Sequence, residues 1–163
     1  EATAKRMGLP VSVISDEEES MKSTFFRRQY PLGMGMSSLK DEIFYTQKNI
    51  IRDFAAKGSC IIVGRCADYA LADEPHCLNI FIRSNMDDRI KRVSERLNVT
   101  ENKAKDIIKK KDKERSSYYN YYTSKKWGDA RSYDLCLNTS QISVEDSIEL
   151  ILKYRECMRN HNK

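Results

Sequence analysis

The sequence is poor in the residues that mark several common kinds of site. It has six glycines, three prolines and two histidines in 163 residues, and its apolar runs, such as Cys60–Val63, stop at four. A membrane-spanning helix needs about 20 apolar residues, so none is expected and no membrane partner follows. The glycines stand at 8, 33, 35, 58, 64 and 128. No two are five apart, so the chain holds no Gly-x4-Gly-Lys phosphate loop. Gly33 and Gly35 begin a Gly-x-Gly, but position 38 is serine and no strand precedes it. His76 and His161 lie in no pattern readable as a catalytic triad, and no metal-ligand set is visible. The five cysteines are odd in number and lack a Cys-x-x-Cys pair, against zinc and thioredoxin-type chemistry. Free thiols suit a reducing, cytoplasmic setting. Cys60 and Cys136, each in an apolar stretch, are expected as small buried hydrophobes.

What is present is a chain 40% hydrophobic and 33% charged, which can close a globular core and is too apolar for disorder. A single domain over residues 1–163 is expected, with no repeat or linker. Charge is uneven. Between Arg83 and Arg131 fifteen Lys and Arg face eight Asp and Glu, a net of +7, while the rest of the chain carries −2. A field concentrated in one stretch points to an anionic partner there, or to a solvated helix face.

Periodicity places the elements. A helix containing Ala2, Ala4 and Met7 should stop at Gly8, with Pro10 beyond it. Asp16–Glu19 opens a helical stretch to about Arg28, and Tyr30–Ser38 reads as a loop. Ser38 caps a helix whose stripe is Leu39, Ile43, Phe44, Ile50, Ile51 and Phe54, ended by Gly58. The unbroken apolar run Cys60–Val63 predicts a central strand covered on both faces. Cys77–Ile82 is a second strand and Asp134–Leu137 a third. Helices are predicted from Met86 to Leu97, capped by Ser84 or Asn85, and from Thr100 to Tyr122. A last one follows Ser143, with Asp146 closing a capping box. Strands separated by helices predict an α/β fold, a parallel sheet with helices on both faces. Ligands then bind beyond the carboxyl ends of the strands.

Arg65, just after the first predicted strand and Gly64, would stand at that rim. Its planar fork suits phosphate or carboxylate, unless it merely pairs with Asp68. Arg89 and Arg92 share a face at a spacing of three, as do Asp112 and Arg115. Asp112 could hold Arg115 against a phosphate, or the two could be a surface pair worth under about 1 kcal/mol. Tyr118, Tyr119, Tyr121, Tyr122 and Trp127 could stack bases, but helical spacing favours packing.

Four blocks in order and spacing carry a resemblance over residues 40 to 155. They are Gly58-Ser-Cys-Ile-Ile-Val-Gly-Arg-Cys-Ala-Asp-Tyr-Ala-Leu71, the Asp88-Arg-Ile-Lys-Arg-Val93 helix, Lys111-Asp-Lys-Glu-Arg115 with Tyr118 and Tyr119, and Trp127-Gly-Asp followed by Tyr133–Ser140. Together they resemble the cytidylate-kinase-like family of P-loop nucleoside monophosphate kinases. The resemblance implies a three-layer P-loop kinase-like fold and transfer of the γ-phosphoryl group of ATP, with Mg2+, to a nucleoside monophosphate, CMP by the family's name. It implies Arg65, with Asp68 beside it, as substrate-binding; Arg89, Arg92, Asp112 and Arg115 as the catalytic set; and a lid on residues 84–126. Lysines 109 to 111 stand where related kinases carry a further arginine, which offers Lys111 to the nucleotide cofactor. Phe25–Met36 is the segment expected to cover the acceptor. The family's phosphate loop and first strand would precede Glu1, and without them triphosphate binding is expected to be poor.

Other classes remain open. A P-loop kinase for another small acceptor would share this site. A nucleic-acid module on the Lys103–Lys126 helix would place Asp106, Asp112 and Glu114 against phosphates, and its affinity would fall by decades with salt. A catalytically inactive interaction domain would bind nucleotide weakly or not at all.

Overall fold

The computed structural model describes residues 1–12, 14 and 39–161. The helix expected over 16–28, the loop over 30–38 with its Ser38 cap, and the acceptor-covering segment 25–36 lie outside them. The chain groups into two compact units, Glu1–Pro75 with Ser117–Ser124, and His76–Ser116 with Lys125–Lys163.

In the first unit, helix α1 (Ala2–Met7) ends where Gly8 takes a left-handed φ of 65°, as its position predicts. It packs on α2 (Leu39–Ala56) through Ala4, Ile14 and Ile43, with Met7, Leu9 and Leu39 at the margin. Burying Ile43 and Phe44, 2% and 3% exposed, stabilises the unit by about 2–3 kcal/mol per side chain. The α2 stripe differs from expectation at two positions: Phe54 is exposed, and Gln47 is buried. Gln47 is tolerated because its Oε1 accepts a hydrogen bond from the Tyr118 hydroxyl at 3.4 Å. Most of the tyrosine run packs rather than offering a stacking platform; Tyr121 alone of the four is exposed, edge-on to Tyr122. Tyr122 lies flat on Phe44 at 3.9 Å between centroids, and Tyr119 is buried.

The predicted strand Cys60–Val63 is not formed. Residues 59–63 carry no strand pairing among the described residues, and Ile61 and Val63 are 96% and 88% exposed. A strand exists through its ladder partners, so an apolar run alone does not make one. Cys60 is exposed for the same reason. The run leads instead into the one-turn helix α3 (Ala67–Ala70).

The second unit holds the described sheet, two parallel strands, β1 (Ile80–Arg83) and β2 (Leu135–Asn138), with Ile80 opposite Leu135 and Arg83 opposite Asn138. The crossover between them runs through helices α4 (Met86–Leu97) and α5 (Glu101–Thr123), and α5 gives Ser117–Thr123 to the first unit. The α/β alternation and parallel pairing agree with the sequence, but the sheet has two strands where three were expected. With no interior strand it buries Leu137 and leaves Cys136 exposed, against the buried thiol expected there. Phe81 is covered by Trp127 and Tyr133 at 5.6 and 4.9 Å between centroids. Helix α6 (Val144–His161) starts at the predicted box. The Ser143 hydroxyl accepts from the Asp146 N–H at 3.0 Å and donates to its carboxylate at 2.6 Å, a cap contributing about 1 kcal/mol. No described helix is long and apolar enough to cross a membrane.

Candidate functional site

In the first unit the chain makes an unusual turn. Gly64, Arg65 and Cys66 follow one another with φ of 70°, 56° and 53°. Only glycine enters this left-handed region without cost; each L-residue there is strained by about 1–2 kcal/mol. The turn passes into α3, where the Tyr69 and Ala70 N–H groups donate to the Cys66 carbonyl at 3.0 and 2.9 Å. Arg65 is therefore exposed on a strained turn rather than at the end of a sheet strand, which corrects the expected support for it. Asp68 follows one turn later. Its carboxylate accepts a 2.6 Å hydrogen bond from the Tyr119 hydroxyl. Two further tyrosines of α5 donate to α2, Tyr118 to Gln47 and Tyr122 to Asp41 at 3.3 Å. Burial first, then the Asp41 carboxylate and the neighbouring tyrosines, push the Tyr122 hydroxyl well above its ordinary range.

Burial pushes the Cys66 thiol up to about 12, the Asp68 carboxylate adding to the shift and the Arg65 guanidinium opposing it. At pH 8 only about one part in 10⁴ of such a thiol is thiolate, the reactive form. Iodoacetamide at pH 8, followed by peptide mapping, is expected to label exposed Cys60, Cys136 and Cys157 long before Cys66. Urea should bring Cys66 into line with the others. Equal rates for Cys66 and Cys60 in the folded protein would contradict this burial.

The second unit gathers the other charged candidates on α4 and α5. Asp112 grips Arg89 with both carboxylate oxygens, each 2.7 Å from a guanidinium nitrogen. Both side chains are about a quarter exposed. Its Arg115 contact is looser, 3.5 Å, with Arg115 60% exposed. The spacing of three thus brings Asp112 and Arg115 together, but the principal partner of Asp112 lies 23 residues away. The bond to Asp112 holds the Arg89 guanidinium more firmly protonated, against a smaller opposing effect of burial. Arg92 is exposed, with no bond among the described residues. Lys111 pairs with Glu114 at 3.1 Å, and Lys110 reaches the same carboxylate at 3.8 Å. In the Trp127-Gly-Asp block, Asp129 accepts from the Arg131 backbone N–H at 3.1 Å and its guanidinium at 2.6 Å. This holds the Asp129 carboxyl down to about 2 and gives it a local, structural task.

The structure therefore brings together Arg89, Asp112 and Arg115, with Lys111 next to Asp112 in sequence, and separately sets Arg65 and Asp68 on one turn. Two pairings, Arg89 with Asp112 and Tyr119 with Asp68, join residues with no local spacing rule between them; the only advance sign of the second was the tyrosine run itself. A surface hollow along α6, about 660 Å³ and lined by Asp146, Glu149, Lys153 and Glu156 among others, contains none of these residues. Its acidic lining has the wrong sign for a phosphate ligand. Chemically, what the two clusters offer is guanidinium groups, of which Arg89 is held by two bonds and Arg65 and Arg115 are exposed. No group of three metal-ligating side chains stands among the described residues.

The sequence matches the cytidylate kinase-like family over residues 1–141. No curated protein matches it. Among solved structures it is similar to an uncharacterized protein from Eubacterium ventriosum, with a TM-score of 0.69 and 40% identity, covering 72% of this chain and 74% of that one.

Proposed function

The chain belongs to the cytidylate kinase-like family, and from that premise we propose that it transfers the γ-phosphoryl group of ATP to a nucleoside monophosphate, CMP foremost. Phosphoryl transfer asks a protein for alignment and charge neutralisation more than for covalent chemistry. The observation that carries the reading is the Arg89–Asp112–Arg115 cluster, in which one carboxylate fixes the Arg89 guanidinium with two bonds and keeps the more exposed Arg115 within 3.5 Å. In this reading Arg89 and Arg115 stabilise the charge spreading over the transferred group, with Arg92 and Lys111 supplying further positive charge to the nucleotide. Arg65 takes the acceptor's phosphate and Asp68 its donor groups. Residues 84–126 carry the lid, and the working architecture is the three-layer P-loop kinase fold.

ATP and Mg2+ fit these residues in kind: arginines and a lysine to receive phosphates, and a metal that arrives on the nucleotide's own oxygens rather than in a protein cage. Bound there, magnesium would neutralise charge between the outer phosphates. The test is a thermal-shift and turnover panel on the full-length protein with CMP, UMP and AMP, each with and without ATP and Mg2+. A ligand at 100 times its Kd stabilises by about 2.7 kcal/mol, several degrees in Tm. CMP should give the largest shift and ADP should form only when both substrates are present. Nucleotide-independent melting with no ADP would sink the kinase reading and favour an inactive interaction domain.

A further inference from the structure

Resting on the acceptor role just assigned to Arg65 and Asp68, we propose that Tyr119 is a positioning residue for acceptor recognition: its hydroxyl aims the Asp68 carboxylate. Asp68 sits on a helix of four residues, too short to hold its own direction, since isolated helices under about 12 residues are marginal in water. The turn before it is strained at Arg65 and Cys66. The direction of this carboxylate must therefore be set from elsewhere in the fold. Tyr119 does so from 51 residues along the chain, through a 2.6 Å bond to Oδ2. That length is typical of the stronger, charge-assisted class.

Three features single out this tyrosine. Its ring is buried, 6% exposed, so the hydroxyl is anchored on a packed helix rather than on a swinging side chain. The parallel bonds of Tyr118 and Tyr122 are longer, 3.4 and 3.3 Å, and end on α2, where they serve packing. Finally, the bond uses only one carboxylate oxygen of Asp68, and Oδ1 makes no hydrogen bond among the described residues. A carboxylate is an acceptor only, so Oδ1 is suited to a hydroxyl or amine of an acceptor whose phosphate Arg65 holds. Without the phenol, Asp68 keeps its charge but loses its aim.

The experiment uses the full chain and CMP as the probe, with Kd by calorimetry and steady-state kinetics alongside. Tyr119→Phe removes one oxygen and keeps the ring. Acceptor Kd and KM should rise about tenfold, the effect of one hydrogen bond to a charged group, while kcat and the KM for ATP stay within about twofold. Asp68→Asn should weaken CMP binding as well, and adding Tyr119→Phe to it should cost nothing more, because the positioning role of the phenol runs through the carboxylate. Asp68→Glu, which carries the carboxylate out of register while keeping both groups and the charge, should reproduce the rise even if Tyr119→Phe folds poorly. Wild-type affinity in Tyr119→Phe or in Asp68→Glu overturns the proposal, as does a double variant worse than Asp68→Asn. Arg65→Ala separates the two levels. Wild-type CMP affinity in that variant means the acceptor site is elsewhere and both readings fall; lost affinity with an unchanged Tyr119→Phe means that only the role of Tyr119 falls.

Discussion

Replacing Arg65 by glycine is expected to abolish nucleoside monophosphate binding while leaving the protein folded and no less stable. The two halves of that result have separate causes. Arg65 is held at a φ of 56°, where an L-residue costs about 1–2 kcal/mol; glycine escapes that cost and gives back about 0.5–1 kcal/mol through the greater freedom of its unfolded chain. The net change is about 0 to +1.5 kcal/mol, read as a small upward shift of the urea midpoint. Alanine at the same place keeps the strained backbone and should be less stable than glycine by about 1 kcal/mol. On the ligand side, an arginine fork makes two charge-assisted bonds to a phosphate, each contributing about 1.5–3 kcal/mol. Losing both should weaken CMP binding by at least about 10². Calorimetry with CMP on the wild type and both variants measures this directly. Strain kept at an exposed arginine is easiest to understand if the side chain is needed there. A glycine variant that binds CMP like the wild type, or that unfolds much more readily, would remove the reason for assigning Arg65 to the acceptor.

Much of the helical framework could be read from residue order. The helix from Met86 to Leu97 appears where periodicity places it, though Asn85 makes no side-chain cap bond, and the box at Ser143 and Asp146 forms as capping predicts, because those signals act within one turn of chain. The long-range features were less accessible. Cys60–Val63 has the composition of a buried strand, but pairing depends on a neighbour that composition does not specify, and the segment is left uncovered with Ile61 96% exposed. Cys136 was misplaced by the same logic, since the number of strands in a sheet decides which faces are buried. At the candidate site, residue type was informative and partnership was not. A spacing of three pointed from Asp112 to Arg115, yet the two 2.7 Å bonds go to Arg89 on the preceding helix. Local rules find neighbours on one helix face; they cannot see which face of another helix is packed opposite.

That change of partner alters what Asp112→Asn should do. The substitution keeps the side chain's shape but removes its charge and replaces one acceptor oxygen with a donor. Arg89 loses half of its bidentate grip, and Arg115, already 3.5 Å away and mostly exposed, loses the attraction that keeps it near. Both guanidinium groups remain present and charged, so ground-state attraction for anionic nucleotide survives. What is lost is the fixed placement of charge at the moment negative charge spreads over the transferred group, the kind of preorganisation whose removal costs about 10²–10³ in kcat. We therefore expect kcat to fall about 10²-fold or more, while CMP Kd changes by less than about threefold, a loss confined to the transition state. The pair is about a quarter exposed, so a stability loss of about 1–2 kcal/mol should accompany it, small enough to leave the variant folded at 25 °C. Arg89→Lys should behave similarly in turnover, since an ammonium cannot match both oxygens of the carboxylate. If Asp112→Asn turns over at the wild-type rate, the cluster is a fastening between α4 and α5 and nothing more, and charge stabilisation must come from other residues.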